Sequence, residues 1–174
     1  MNKLMRVPFG IPVSVIMGIY NEPLEWIKQS IDSILNQTFV DFEFIIVNDN
    51  PLRNDNYILL NKYQQIDKRI VVVENESNIG LTESLNKALL LAKGKYIARM
   101  DADDISINKR IENQKRYLEE NNYDLIGGIS QMIDENGKSI YSIKKVPTNM
   151  DKIKKALRYN QIISHPTWFG KKEV

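Results

Sequence analysis

Cysteine is absent from the 174 residues, which excludes disulfides, thiolate catalysis and cysteine-ligated zinc. Histidine occurs once, at His165, so a site built from several imidazoles is excluded too. Any metal here is held by oxygen. Charge of one sign is also lacking: 24 Lys and Arg against 22 Asp and Glu leave +2, too little to argue for a nucleic-acid partner. No run of about eighteen apolar residues occurs, so no membrane span is expected. Residues 1–10 hold two basic side chains but no apolar core of a signal peptide. The chain is therefore expected to be cytoplasmic.

What is present suits a single globular domain over residues 1–174. Hydrophobic content of 43% and charged content of 26% are ordinary for a soluble fold. Residues 13–19 are an apolar run of strand length, bounded by Pro12 and by Asn21-Glu22-Pro23. Pro23 suits the first turn of a helix, and Leu24, Ile27, Ile31, Ile34 and Leu35 then trace one helical face. Residues 43–47 form a second buried strand, Tyr57, Leu60 and Tyr63 a weaker helix, and residues 70–73 a third strand. A helix over 82–93 and a strand over 96–100 follow, with Gly94 between them as a helix-ending residue.

Ile107, Ile111, Gln114 and Leu118 fit a further helix. Residues 125–133 read as a strand, Glu135-Asn136-Gly137-Lys138 as a hairpin turn into 139–143, and 150–158 as a last helix. Strands alternating with helices of ten or more residues imply right-handed crossovers and a mainly parallel sheet. The expected fold is thus α/β, Rossmann-like, flanked by helices, with a late β-hairpin.

The most informative run is Lys95-Tyr-Ile-Ala-Arg-Met-Asp-Ala-Asp-Asp104. Asp101, Asp103 and Asp104 repel one another, and folding alone gives no reason to group them. A hard divalent cation does, since Mg²⁺ and Mn²⁺ take oxygen ligands, often one or two carboxylates plus substrate phosphates. The alternative is a solvated acidic turn. Position favours the cation, because open α/β sheets bind ligands at the carboxyl ends of their strands. Tyr20-Asn21-Glu22 and Asp49 follow two other strands and should lie along that same edge.

These stretches resemble a known family. Pro12-Val-Ser-Val-Ile-Met-Gly-Ile-Tyr-Asn-Glu22, Phe44-Ile-Ile-Val-Asn-Asp49, Asn78-Ile-Gly80 and residues 92–104 occur in the order and spacing of the family 2 glycosyltransferases. Ser84-Leu-Asn-Lys-Ala88 and Ser164-His-Pro-Thr167 are similar to the branch that builds bacterial capsule, exopolysaccharide and O-antigen. The resemblance implies a GT-A fold, a nucleotide-diphosphate sugar donor, expected to be UDP-linked, and an inverting transfer to a saccharide or lipid-linked saccharide acceptor. It implies that Tyr20, Glu22, Asp49, Asn78, Asp101 and Ala102 surround the nucleotide sugar. It also implies that Asp103, with Asp101, holds Mn²⁺ or Mg²⁺.

Two positions depart from the family pattern. Leu85-Asn86 stands where many members carry Arg-Asn, so a phosphate-facing arginine is missing or supplied elsewhere. The family's general base belongs to an acidic motif downstream of the His-Pro stretch, and is expected beyond Val174, in a part cut from this chain. His165, beside Pro166 in apolar surroundings, reads as a structural histidine. Lys144, Lys145, Lys152, Lys154, Lys155 and Arg158 read either as a solvated helix face or as a peripheral contact for anionic lipid at the inner face of the cell membrane.

Overall fold

The computed structural model describes residues 11–140, 146–159 and 162–173. Four parallel strands come first: β1 (Val13–Ile19), β2 (Phe42–Asn48), β3 (Ile70–Glu74) and β4 (Tyr96–Arg99). They are joined through α1 (Leu24–Leu35), α2 (Asn54–Ile66) and α3 (Leu81–Leu91). Then come α4 (Arg110–Glu120), β5 (Leu125–Ile126), α5 (Met150–Leu157), a 3₁₀ turn at His165–Thr167, and β6 (Phe169–Lys171). The sheet order is β3-β2-β1-β4-β6-β5, with β6 antiparallel to both β4 and β5.

Why β1 and β2 are largely apolar on both faces follows from this order. They lie inside the sheet with both faces covered, so every side chain is buried. Val13, Val15, Met17 and Ile19 meet Ile27, Ile31 and Ile34 of α1, with Leu60 of α2 and Ile111 and Leu118 of α4, on one face. Ile16, Ile45 and Val47 meet Ala88 and Ala92 on the other, where Leu85 also packs. The strand's period of two thus assigns alternate residues to two cores.

The expected elements up to residue 100 are all present, with small shifts. Pro23 precedes the first turn of α1 rather than lying in it. Gly94 has a different role from helix termination, since α3 ends at Leu91 with Ala92 as its C-cap. A Cβ at Gly94 would lie 2.4 Å from the backbone nitrogen of Ser14. Glycine is there because β1 passes against it. A buried chain of hydrogen bonds secures the contact: Gly94 N–H donates to Ser14 Oγ (2.8 Å), which donates to Glu43 Oε1 (2.6 Å), and Lys93 N–H donates to that same oxygen (2.6 Å).

The later chain departs further. The strand expected over 125–133 is confined to Leu125–Ile126. Gly127 and Gly128 end it by turning toward Ile163 and Thr167, and Gly128 N–H donates to Thr167 Oγ1 (2.9 Å) instead of a neighbouring strand. The hairpin turn forms at Asp134–Lys138 but closes with a single bridge, Ile133 to Ser139. The strand expected over 139–143 falls mostly in 141–145, outside the described residues. Ile107 precedes α4, which starts at Arg110. No helix among the described residues is long and apolar enough to cross a membrane.

Candidate functional site

Because β1 to β4 are parallel, the loops after them lie along one edge of the sheet. Tyr20 and Glu22 follow β1, Asp49 follows β2, Asn78 follows β3, and Asp101, Ala102 and Asp103 follow β4. Every residue expected around a nucleotide sugar is therefore on that edge. The strand order reverses between β1 and β4, where open α/β sheets form a crevice.

Backbone bonds hold the β1 and β2 loops together. Glu22 accepts from Tyr20 N–H through Oε2 (2.7 Å), Asn50 donates to Asn21 Oδ1 (2.7 Å), and Arg53 donates to the Glu22 carbonyl (2.8 Å). Asn56, fully buried, donates to the Tyr20 carbonyl (2.9 Å). Tyr20 is thus fixed through its backbone while its ring stays 41% exposed. A ring in that state can offer an apolar face to a flat ligand.

Asp49 is buried, and its carboxylate accepts from Asn75 Nδ2, Ile79 N–H and Gly80 N–H, each at 2.8 Å. Burial pushes its carboxyl upward, but the donors from Ile79, Asn75 and Gly80 outweigh that and hold it below the usual value. Asp49 therefore ties the loop carrying exposed Asn78 to the end of β2. Gly80, at φ 86°, lets that loop turn into α3. The tie reaches about thirty residues along the chain.

Asp101, Asp103 and Asp104 each present an oxygen, and these atoms lie within 4.8 Å of one another. Asp103 is exposed, Asp101 and Asp104 half-buried, and Ala102 buried. Burial raises the Asp101 carboxyl, opposed by Arg99 and reinforced by Asp103. Arg99 meets Asp101 at 2.8 Å. Burial, then the charges of Asp101 and Asp103, push Asp104 up to about 6. Arg110 donates to the Arg99 carbonyl (2.6 Å), and burial lowers its guanidinium to about 10, so it stays charged at neutral pH.

Sequence reasoning missed what holds the acidic loop in place. Two serines of α1 and Gln37, just past its end, do this. Ser30 Oγ donates to the Asp101 carbonyl (2.8 Å), Ser33 Oγ accepts from Ser106 N–H (3.0 Å), and Gln37 Nε2 donates to the Ile107 carbonyl (2.8 Å) while its Oε1 accepts from Ile111 N–H (3.1 Å). The only signal in the sequence is hydroxyl and amide groups beside an apolar helical stripe. Asp104 as a third partner was visible from its spacing, and Arg99 from lying two residues before Asp101.

Comparison with known proteins bears on this edge. The profile described as Glycosyl transferase family 2 matches residues 14–173. The chain belongs to that family. The uncharacterized glycosyltransferase MJ1057 of Methanocaldococcus jannaschii is 44% identical over 163 residues, covering 93% of this chain and 56% of the relative. The O-antigen biosynthesis glycosyltransferase WbnJ of Escherichia coli is 37% identical over 163 residues, covering 93% and 62%. The chain thus spans about three-fifths of the length of these relatives. A crystal structure of S. aureus TarS 1-349 in complex with UDP-GlcNAc superposes with a TM-score of 0.68 at 21% identity, covering 92% of this chain and 45% of that one. This likeness makes the fold GT-A.

Within this family 2 chain, His165 is not the satisfied structural histidine its neighbourhood suggests. Its side chain is exposed, and neither ring nitrogen has a hydrogen-bond partner among the described residues. Leu85, where many members carry arginine, packs into the α3 core instead of facing the edge.

Proposed function

We propose that the chain carries the donor-binding part of an inverting glycosyltransferase, which takes a sugar from a UDP-linked donor. The observation that supports this best is the acidic triad at the carboxyl end of β4, on the edge it shares with Tyr20 and Asp49. Three carboxylate oxygens within 4.8 Å suit a hard cation that accepts only oxygen, so Asp103 and Asp101 would hold Mn²⁺ or Mg²⁺. Such an ion offsets the charge that develops on a leaving diphosphate. Tyr20 stacks on the base, Asp49 positions the Asn78 loop beside it, and Glu22 braces Tyr20. TarS, a relative in fold, is solved with UDP-GlcNAc, which supports a UDP-linked donor.

The acceptor we propose is a saccharide or lipid-linked saccharide of a surface polysaccharide, supported by the name of WbnJ. Exposed Met150 and Leu157 on α5, flanked by Lys152, Lys154, Lys155 and Arg158, fit a peripheral contact with anionic lipid, each basic group adding roughly 1 kcal/mol near the surface. Donor binding without transfer is the second reading, favoured by the settings of the late acidic groups. Asp134 is used up in its own turn, accepting from Asn136 and Lys138 N–H, while Glu135, Asp151 and Glu173 are exposed. None is the buried, positioned base that proton removal from an acceptor requires.

Titration calorimetry with UDP tests the proposal. UDP is expected to bind more tightly with Mn²⁺ than with EDTA, and Asp103→Asn to remove most of that difference while the thermal midpoint without ligand is kept. Equal affinity of the unsubstituted chain in Mn²⁺ and in EDTA would reject the metal site.

A further inference from the structure

We infer that His165 binds the terminal phosphate of the donor's diphosphate, an inference that rests on the nucleotide-sugar reading above. The antiparallel register of β4 and β6 places it. Ala98 pairs with Phe169, and Arg99 N–H donates to the Trp168 carbonyl (3.0 Å). The 3₁₀ turn at His165–Thr167, just before β6, packs against the end of β4 that leads to Asp101. The turn carrying His165 thus lies on the β6 side of β4, opposite to Tyr20 and Asp49, which lie on the β1 and β2 side. A nucleotide whose base is at β1 and β2 and whose diphosphate reaches the triad presents its outermost phosphate toward β6.

The turn carrying His165 is rigid. Trp168 N–H donates to the His165 carbonyl (3.0 Å), Thr167 Oγ1 donates to the Ser164 carbonyl (2.6 Å), and Gln114 Nε2 donates to the Thr167 carbonyl (2.7 Å). The imidazole stands edge-on to the Trp168 ring, with centroids 4.5 Å apart. The ring is thus held in place while its nitrogens stay open to a ligand. Trp168 Nε1, directly beside it, is buried and likewise has no partner among the described residues. His165 lies within electrostatic range of Asp101. An N–H beside a cation-holding triad suits a phosphate oxygen, because hydrogen bonds to charged acceptors are the strong ones.

His165→Phe separates the roles, since phenylalanine keeps the ring contact with Trp168 and removes both nitrogens. With Mn²⁺ present, calorimetry is expected to show UDP affinity falling by about tenfold, the scale of one hydrogen bond to a charged group. UMP affinity and the ligand-free thermal midpoint should stay unchanged, and His165→Gln, which restores an N–H, should recover part of the loss. Unchanged UDP affinity in His165→Phe, equal losses for UDP and UMP, or a loss confined to UDP-GlcNAc would each overturn the inference. If the phenylalanine variant melts early, His165→Gln decides, with wild-type UMP binding and weakened UDP binding expected. Absence of Mn²⁺-dependent UDP binding in the unsubstituted chain is a different outcome: it removes the nucleotide-sugar reading, and this inference with it.

Discussion

Replacing Asp104 with asparagine should make the metal-free protein more stable, because the triad is electrostatically strained until a cation arrives. Burial together with the charges of Asp101 and Asp103 raises the Asp104 carboxyl from 3.8 to about 6. At about 1.36 kcal/mol per unit, that shift sets an upper limit of roughly 3 kcal/mol on the cost of ionising it in the folded chain. Solvent screening at a half-buried site reduces the expected gain for Asp104→Asn to about 1–2 kcal/mol. The sign follows from linkage. Between pH 3.8 and about 6 the folded state holds more of this proton than the unfolded state, so wild-type stability falls as pH rises through that window. The advantage of Asp104→Asn is therefore full above pH 6 and shrinks as pH falls toward 3.8. Urea unfolding in EDTA at pH 7.5 and at pH 4.5 measures it. Adding Mn²⁺ should then reverse the order, since a ligand bound only to the native state stabilises it by mass action. A variant no more stable than wild type in EDTA at pH 7.5 would refute the account of three unrelieved carboxylates.

Asp49→Ala should cost about 2–3 kcal/mol, because it leaves Asn75 Nδ2 and the amides of Ile79 and Gly80 without their acceptor. Hydrogen exchange at Ile79 and Gly80 should accelerate, and the deficit should narrow as pH falls below 3.8, where the depressed carboxyl of the wild type loses its advantage; unaltered exchange would show that the loop is held by other contacts. Gly94→Ala places a methyl 2.4 Å from Ser14 N and 2.6 Å from the Val13 carbonyl carbon, atoms that cannot move without shifting β1, so a loss of about 2 kcal/mol or more in urea unfolding is expected. A midpoint equal to wild type would mean the turn can open freely.

Periodicity and punctuation made most of the nucleotide-facing half legible. Fully buried strands write themselves as largely apolar runs, as in Val13–Ile19 and Phe42–Asn48, and α1 shows its core stripe at spacings of three and four. Alternation of such runs with helices dictates parallel pairing, and parallel pairing puts Tyr20, Asp49 and the triad on one edge. Residues 125–133 resisted the same treatment. Their apolar pattern suits a strand, yet Gly127 and Gly128 turn aside because Ile163 and Thr167 approach from nearly forty residues away. No local signal records that approach.

The sequence by itself therefore determined the α/β class, the order of the first four strands and the grouping of Asp101, Asp103 and Asp104, since each follows from the side-chain period or from neighbours along the chain. Only the tertiary structure decided that Asp49 secures a loop about thirty residues away, that Ser30 and Gln37 hold the acidic loop, and that β6 runs antiparallel beside β4 and brings the His165 turn against it. Each of these is a contact between segments separated by about thirty to seventy residues. Its existence depends on which elements the packed core brings together, a property that no stretch of the chain carries alone.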